Sequence, residues 1–541
     1  MLEFVPLSSL EKVFSDERPA AKPTQRFSGL VGEVISFQLA FRSDCDTDIV
    51  PQITGPGAVC CTAFWVEEIP SGNPCYGDDS DEHFLRRTPG LYPDLLRPAT
   101  APMQAKAGLW HSLWVEFNCD CGAGDYDVTV SLNGQTQDFS ITKIPAELPA
   151  QTLLYTNWFH CDAPANYYGV EAFGEEYWAI LEKHLQCAYD HGVNFILTPL
   201  FTPPLDTQIN GERLTTQLVG VTKTGDSYSF DFTLLERWFK LCEGIGFVAY
   251  ELSHLYTQWG AAHAPKILYD AYDSESRSGE PHRRCFGWET DADGPEYMDF
   301  LAQFAAALLP FLEQQGVKER CYIHVSDEPS LPHLETYARH SAFLKKIFPG
   351  LPMIDALSDY AFYEHGHIER PIPANDHMEP FIGNVPELWT YYCCSQCRSG
   401  ESNRFFAMPS WRNRVIGLQL WKFRCVGFLH WGFNFWNSQF SIAPIDPFKV
   451  SDAGGGFASG DSYVIYPGEN GEPLCSLRLK VFREALQDLQ ALQLLEQRIG
   501  YDATLAIVEQ GIDAVTFTEY PRSAEWLLEV RERVNKALCQ S

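Results

Sequence analysis

Asp327 and Glu328 stand side by side in His324-Val325-Ser326-Asp327-Glu328-Pro329, directly behind a run that reads as a buried strand. Adjacent carboxyl groups can divide acid and base roles, because the charge of one raises the pKa of the other. The dipeptide alone says little: 71 acidic residues placed at random in 541 produce about nine adjacent pairs. The same tripeptide recurs in Ser80-Asp81-Glu82, in a polar stretch where a solvated loop is the plain reading. Position separates the two copies. Pro329 biases Glu328 towards an extended backbone, which keeps the second pair out of the next helix and at the rim of any pocket. Helix capping, or pairing with a nearby histidine, is the structural alternative.

Other chemistry-bearing residues fall at the ends of apolar runs. Trp158 and His160 follow the first, His254 and Trp259 a later one, Tyr391 and Tyr392 another, and His430, Trp431 and Trp436 the last. Indole rings beside hydroxyl- and imidazole-bearing groups suit a pocket that stacks on and hydrogen-bonds to sugars. The four tryptophans are candidates for its walls, and the histidines for sugar hydroxyls, each against a packing role. Asp355 is a weaker candidate. Strand residues alternate, so only one of Tyr391 and Tyr392 should face the pocket.

These positions need elements to hold them. From about 20 to 145, short runs rich in Val, Ile, Thr and aromatics alternate with Gly- and Asp-rich turns, including the hairpin signal Asn133-Gly134. They predict a β-sandwich, closed by a Pro-punctuated linker at 144–149. The period then changes. Helical stripes at 175–190, 234–245, 297–315 and 334–348 each stop near a glycine and lead into a buried strand. Helix, stop and strand in repetition imply a parallel sheet with room for eight strands, a (β/α)8 TIM barrel. No Gly-x-Gly-x-x-Gly follows a strand, which disfavours a doubly wound dinucleotide fold. The predicted organisation is multidomain α/β: an all-β sandwich over 1–147, the barrel over 148–500 and a helical extension over 501–541.

Composition narrows the partners. With 40 Lys plus Arg against 71 Asp plus Glu, the net charge of −31 repels nucleic-acid phosphates and anionic membranes, and 14% aromatic content suits a neutral stacking ligand. The start, Met1-Leu2-Glu3-Phe4, lacks the pattern of a secretion signal, and the 17 cysteines are irregularly spaced, which predicts reduced thiols and a cytoplasmic protein. Cys394 and Cys397 form a lone CxxC, read as buried thiols and not as zinc ligands.

Taken together, His324 to Pro329, Thr198 to Pro204, His254 to Gly260 and His430 to Asn437, followed by Gly460 to Gly468 and Ser476-Leu477-Arg478, resemble glycoside hydrolase family 123 and its DUF4091 catalytic domain over roughly 150–500. The resemblance implies an exo-acting, retaining β-N-acetylgalactosaminidase with substrate-assisted catalysis, without cofactor or metal. Asp327 would then hold the substrate's acetamido N–H, Glu328 would be the general acid and base, and Tyr391 or Tyr392 would donate to the acetamido oxygen. The expected partner is a small glycoside or oligosaccharide ending in a β-linked N-acetylhexosamine, of either C4 configuration; no oligomeric state is implied. Two rivals stand beside this: a metal-dependent hydrolase built on His160, His254, His324 and His430 with Asp355, and a barrel that binds glycans without cleaving them.

Overall fold

The computed structural model describes residues 2–118, 121–272 and 279–541. The N-terminal part holds two sheets. Strands Leu2–Ser8, Ile35–Ser43, Trp110–Phe117, Cys61–Ser71 and Gly90–Pro98 pair antiparallel in that order; Arg26–Val31, Gln135–Glu147, Gly124–Leu132 and Pro51–Thr54 make the second sheet. Alternate residues turn inward, and Phe37, Leu39, Val115 and Phe117 of one sheet meet Val130, Phe139 and Ile141 of the other in one apolar cluster. At the predicted hairpin Asn133 and Gly134 both take positive φ, 50° and 83°, as a two-residue turn between twisted strands requires. The expected linker at 144–149 is instead largely strand. Gln135–Glu147 pairs with Arg26–Val31 through Glu147, with a register shift after Ile144 that accommodates Pro145, which has no N–H to give to the ladder.

Eight short parallel strands follow: β1 Leu154–Asn157, β2 Phe195–Thr198, β3 Ala249–Leu252, β4 Cys321–Ile323, β5 Ile354–Ala356, β6 Arg370–Ile372, β7 Leu388–Tyr391 and β8 Cys425–His430. β8 lies between β1 and β7, β3 between β2 and β4, and β5 pairs with β6. Single contacts join these groups. Asn194, just before β2, bonds the backbone of Tyr155 in β1; Ile323 bridges to Met353, and Ala374 to Tyr391. Helices α1 Glu175–Asp190, α2 Thr233–Ile245, α3 Pro295–Gln315 and α4 Leu334–Ile347 each precede a strand. α3 ends at Gly316, whose φ of 69° lets its N–H return to the Leu312 and Glu313 carbonyls. The segment between β6 and β7 forms no helix, in keeping with Pro380, Gly383 and Pro386 within it. Four strands, Gly220–Thr224, Ser227–Asp231, Ile267–Tyr272 and Gly279–Phe286, form an added sheet that periodicity did not predict.

Helices α5 Leu477–Ile499 and α6 Ala524–Gln540 close the chain. Buried ion pairs fasten them to the N-terminal sheets. Arg478 holds Asp94 through two bonds of 2.7 and 2.9 Å, Lys480 meets Glu116 at 3.0 Å, and Arg531 joins Glu33 to Asp488. The protein is thus mixed α/β, with a β-rich N-terminal region. Among the described residues no helix is long and apolar enough to cross a membrane.

Candidate active site

Asp327 and Glu328 lie just beyond β4 and line a cavity of about 150 Å³ at the C-terminal ends of the parallel strands. Glu328 is not extended. Its φ is +46°, a left-handed conformation that is uphill for a residue with a Cβ. Backbone bonds on either side hold it there: its N–H donates to the Ala356 carbonyl at 3.1 Å, and the Asp327 carbonyl accepts from Trp259 N–H at 3.3 Å. The bias from Pro329 is outweighed by this tie between the ends of β4 and β5.

The side chains around the pair form a directed network. Gln258 donates its amide to Asp327 Oδ2 at 2.7 Å, and its own oxygen accepts the Asp206 N–H at 2.7 Å, which fixes which end of the amide faces the carboxylate. The Tyr391 hydroxyl donates to Glu328 Oε1 at 3.1 Å. Burial raises the pKa of both carboxyls. The Glu328 charge raises Asp327 further, against the pull of His324, so the stronger upward push falls on Asp327. The ionisation of each of two such neighbours depends on that of the other.

Beneath them lies a buried charge chain. Glu251, fully buried in β3, accepts from the Trp158 indole at 2.6 Å and from Thr156 at 2.7 Å, and its Oε1 is also 2.6 Å from His324 Nε2. His324 Nδ1 is 2.8 Å from Asp355, which also takes the Tyr337 hydroxyl. Burial alone would lower the His324 pKa; bonds and charge from Asp355 and Glu251 overcome it and lift it to about 10. His324 is therefore an imidazolium at neutral pH, positioned to favour an ionised Asp327.

Of the residues singled out from sequence, Trp158, Trp259, Asp327, Glu328, Tyr391 and Trp431 line this cavity. Six do not, and each has another task; Asp355 is the partner of His324 and Tyr337 in the chain beneath. Tyr392 points the other way, as strand alternation demands, into the core beside Phe428 and towards Asn413. His254 stacks on His324 with ring centres 4.0 Å apart and is buried below Trp158. His160 bonds the Trp431 carbonyl and Arg213 behind the wall. His430 takes an N–H from Arg404 at 2.6 Å. Trp436 packs on Tyr167 and His184, with its indole on the Ile465 carbonyl. His254, His324 and Asp355 bring possible ligand atoms within 4.8 Å of one another, but both ring nitrogens of His324 are engaged by carboxylates and a protonated ring has no lone pair for a metal. The other two histidines of the metal reading, His160 and His430, are occupied elsewhere.

Sequence reasoning missed Asp206, Gln258, Gln439, Phe440 and Phe457, all of which line the cavity. Burial pushes the Asp206 carboxyl up to about 6. The last three belong to the long segment after β8, which is held from the N-terminal sheets. Ser71 bonds Ser459 at 2.7 Å, Asn73 donates to the Phe457 carbonyl at 3.1 Å, the Ala458 N–H donates to Tyr76 at 2.8 Å, and Ser451 donates to the Pro70 carbonyl at 2.6 Å. One wall of the pocket thus depends on the N-terminal part. Trp431 is set by its indole bond to Asp461 at 2.9 Å. Burial pushes Asp461 up to about 7, with Arg404 opposing.

Comparison with known proteins follows the same lines. The glycoside hydrolase 123 catalytic-domain family matches residues 158–495. A family 123 glycoside hydrolase from Clostridium perfringens, studied for glycolipid glycan hydrolysis, is similar in structure over 99% of this chain and 97% of its own, with a TM-score of 0.74 and 14% identity. A family 2 member from Bacteroides cellulosilyticus covers 79% of this chain and 45% of its own at 9% identity and a TM-score of 0.26. A family 5 mannosidase from Rhizomucor miehei covers 65% and 95% at 10% identity and a TM-score of 0.32. No curated protein matches the sequence.

Proposed function

The chain belongs to glycoside hydrolase family 123, and from that premise we propose that it is a retaining exo-β-N-acetylgalactosaminidase using substrate-assisted catalysis. The observation that carries this reading is the Asp327–Glu328 pair in a tryptophan-walled pocket, with Tyr391 in hydrogen-bond reach of Glu328. Retaining glycosidases that attack with their own carboxylate need a second carboxyl group about 5 to 5.5 Å across the bond, whereas a 2-acetamido oxygen can attack instead. In the free enzyme burial and the Glu328 charge favour a proton on Asp327. An acetamido N–H donating to Asp327 would favour its ionised form and leave the proton on Glu328. Glu328 then protonates the leaving oxygen as the acetamido oxygen closes on the anomeric carbon. Asp327 stabilises the positive oxazolinium, and Glu328 deprotonates the water that opens it. Tyr391 would turn from Glu328 to the acetamido oxygen and align it for attack. Trp158, Trp259 and Trp431 would offer faces or edges to the sugar.

We also read the eight strands as a (β/α)8 barrel preceded by a β-sandwich, with units 1–147, 148–500 and 501–541. The ladders, bridges and side-chain bonds that join successive strands support it. The relative's glycolipid glycans and short soluble oligosaccharides are the two substrate settings; the free cysteines favour a reducing compartment, hence the cytoplasm and the soluble ones. A panel of aryl β-glycosides differing at C4 and in the 2-acetamido group tests the proposal. Hydrolysis of the N-acetylgalactosaminide with retention, inhibited by a thiazoline that mimics the oxazoline, is expected; equal turnover of a 2-hydroxy glycoside would sink it.

A further inference from the structure

We propose that Cys187, His191 and Cys475 form a metal site for a zinc-class divalent ion, separate from the catalytic pocket. Cys187 lies in the last turn of α1, His191 caps that helix, and Cys475 ends the short strand Pro473–Cys475 that precedes α5. The two thiols are 288 residues apart in sequence, so no local motif announces them.

Three geometric facts point to a metal. The sulfurs stand 3.8 Å apart; a tetrahedral ion with metal–sulfur bonds of about 2.3 Å sets two sulfurs about 3.8 Å apart. His191 Nδ1 is 2.7 Å from the Cys187 carbonyl. A carbonyl only accepts, so Nδ1 carries the proton, and in the neutral ring Nε2 is left with a bare lone pair. That nitrogen faces Cys475 Sγ at 3.9 Å. A backbone carbonyl fixing one ring nitrogen so that the other can ligate is the usual outer support of a metal-bound histidine. One possible ligand atom from each residue lies within 4.8 Å of the others.

Lys480 and Arg483 both pair with Glu116, so the pocket carries no large excess charge. Each thiol gives its proton to solvent as its metal–sulfur bond forms, and two thiolates neutralise a divalent ion. Cys187 and His191 are buried while Cys475 is partly exposed, which gives the ion an entry side and leaves its fourth position to water. A disulfide would need the sulfurs to close to about 2.05 Å; a metal needs no such movement. Thiol and imidazole together select zinc over magnesium or calcium.

The test uses the full chain, purified reduced and stripped of metal, then titrated with cobalt and zinc ions. One equivalent of cobalt is expected to bind with a thiolate charge-transfer band that zinc abolishes and that is lost in Cys475→Ser, while glycoside hydrolysis is unchanged. Zinc should also shield the partly exposed Cys475 of the unmutated protein from alkylation, with exposed Cys45 and Cys539 still reacting, and this readout does not depend on the variant folding. The idea is overturned if the cobalt band is absent, if it survives in Cys475→Ser, if zinc leaves Cys475 as reactive as before, or if the protein as isolated carries a Cys187–Cys475 disulfide.

Discussion

In the proposed mechanism Glu328 holds a proton near neutral pH and releases it to a leaving oxygen, and its neighbours divide that demand. Burial favours the acid, while the Tyr391 hydroxyl favours the carboxylate. Glu328→Gln should lower kcat on an aryl substrate with a poor leaving group by about 10²- to 10⁴-fold. Asp327→Ala should fall at least as far and resist rescue by azide; formation of a glycosyl azide at wild-type rates would mean an enzyme nucleophile. Tyr391→Phe should cost about 10²-fold in kcat with little change in KM if its bond strengthens in the transition state, whereas Tyr392→Phe should leave activity intact. His324 supplies a pH prediction. Its folded pKa of about 10 exceeds the ordinary 6.5, so its stabilising contribution is complete below pH 6.5 and disappears as pH rises through 10. Thermal melts of the wild type should therefore decline towards pH 10, and His324→Asn, less stable at neutral pH, should lack that decline. Asp327 and Glu328 were legible because a strand signal preceded them and a proline followed. Glu251 was not, although a lone carboxylate in the apolar run Val248 to Leu252 is the signal that could have found it. The histidines misled because a strand end fixes height in the fold and not direction.

At the scale of elements, the site depends on how the strands end. The turn after β3 carries three successive residues at positive φ, Trp259 at 58°, Gly260 at 120° and Ala261 at 55°, and the turn after β4 carries Glu328. Both reversals aim side chains inward, and backbone bonds between neighbouring turns hold them. After β8 the critical residue is Gly432, where a Cβ would sit 2.6 Å from the Ser462 carbonyl and 2.7 Å from that of Asp461. Gly432→Ala should push Trp431 and Asp461 apart, raising KM more than it lowers kcat and reducing Tm by several degrees; unchanged kinetics would remove Gly432 from this role. Helices and strands were legible because their periods and glycine stops are local. The segment holding Gln439, Phe440 and Phe457 has no period at all, and only contacts from distant chain bring it to the pocket.

Over the whole molecule, the net charge is −31, and away from the site several buried carboxylates, among them Asp94, Glu116 and Asp488, are matched by arginines and lysines that join separate regions. Asp94 receives two bonds from Arg478 and a third from Tyr466 at 2.5 Å. Removing one partner of a buried pair strands the other charge, so Asp94→Ala should destabilise the fold by about 3–5 kcal/mol in denaturant unfolding. That loss should persist in high salt, which screens only exposed charge. The tie between the β-rich N-terminal part and the segment after β8 has an evolutionary consequence. A carbohydrate-binding appendage can be exchanged or lost while the catalyst it serves survives. Here recombination between the β-rich N-terminal part and the strands that follow it would leave behind a catalyst with one wall unsupported, so the two parts are expected to be inherited as one unit and to diverge in step along the line from Pro70 to Tyr76 and from Ser451 to Ser459.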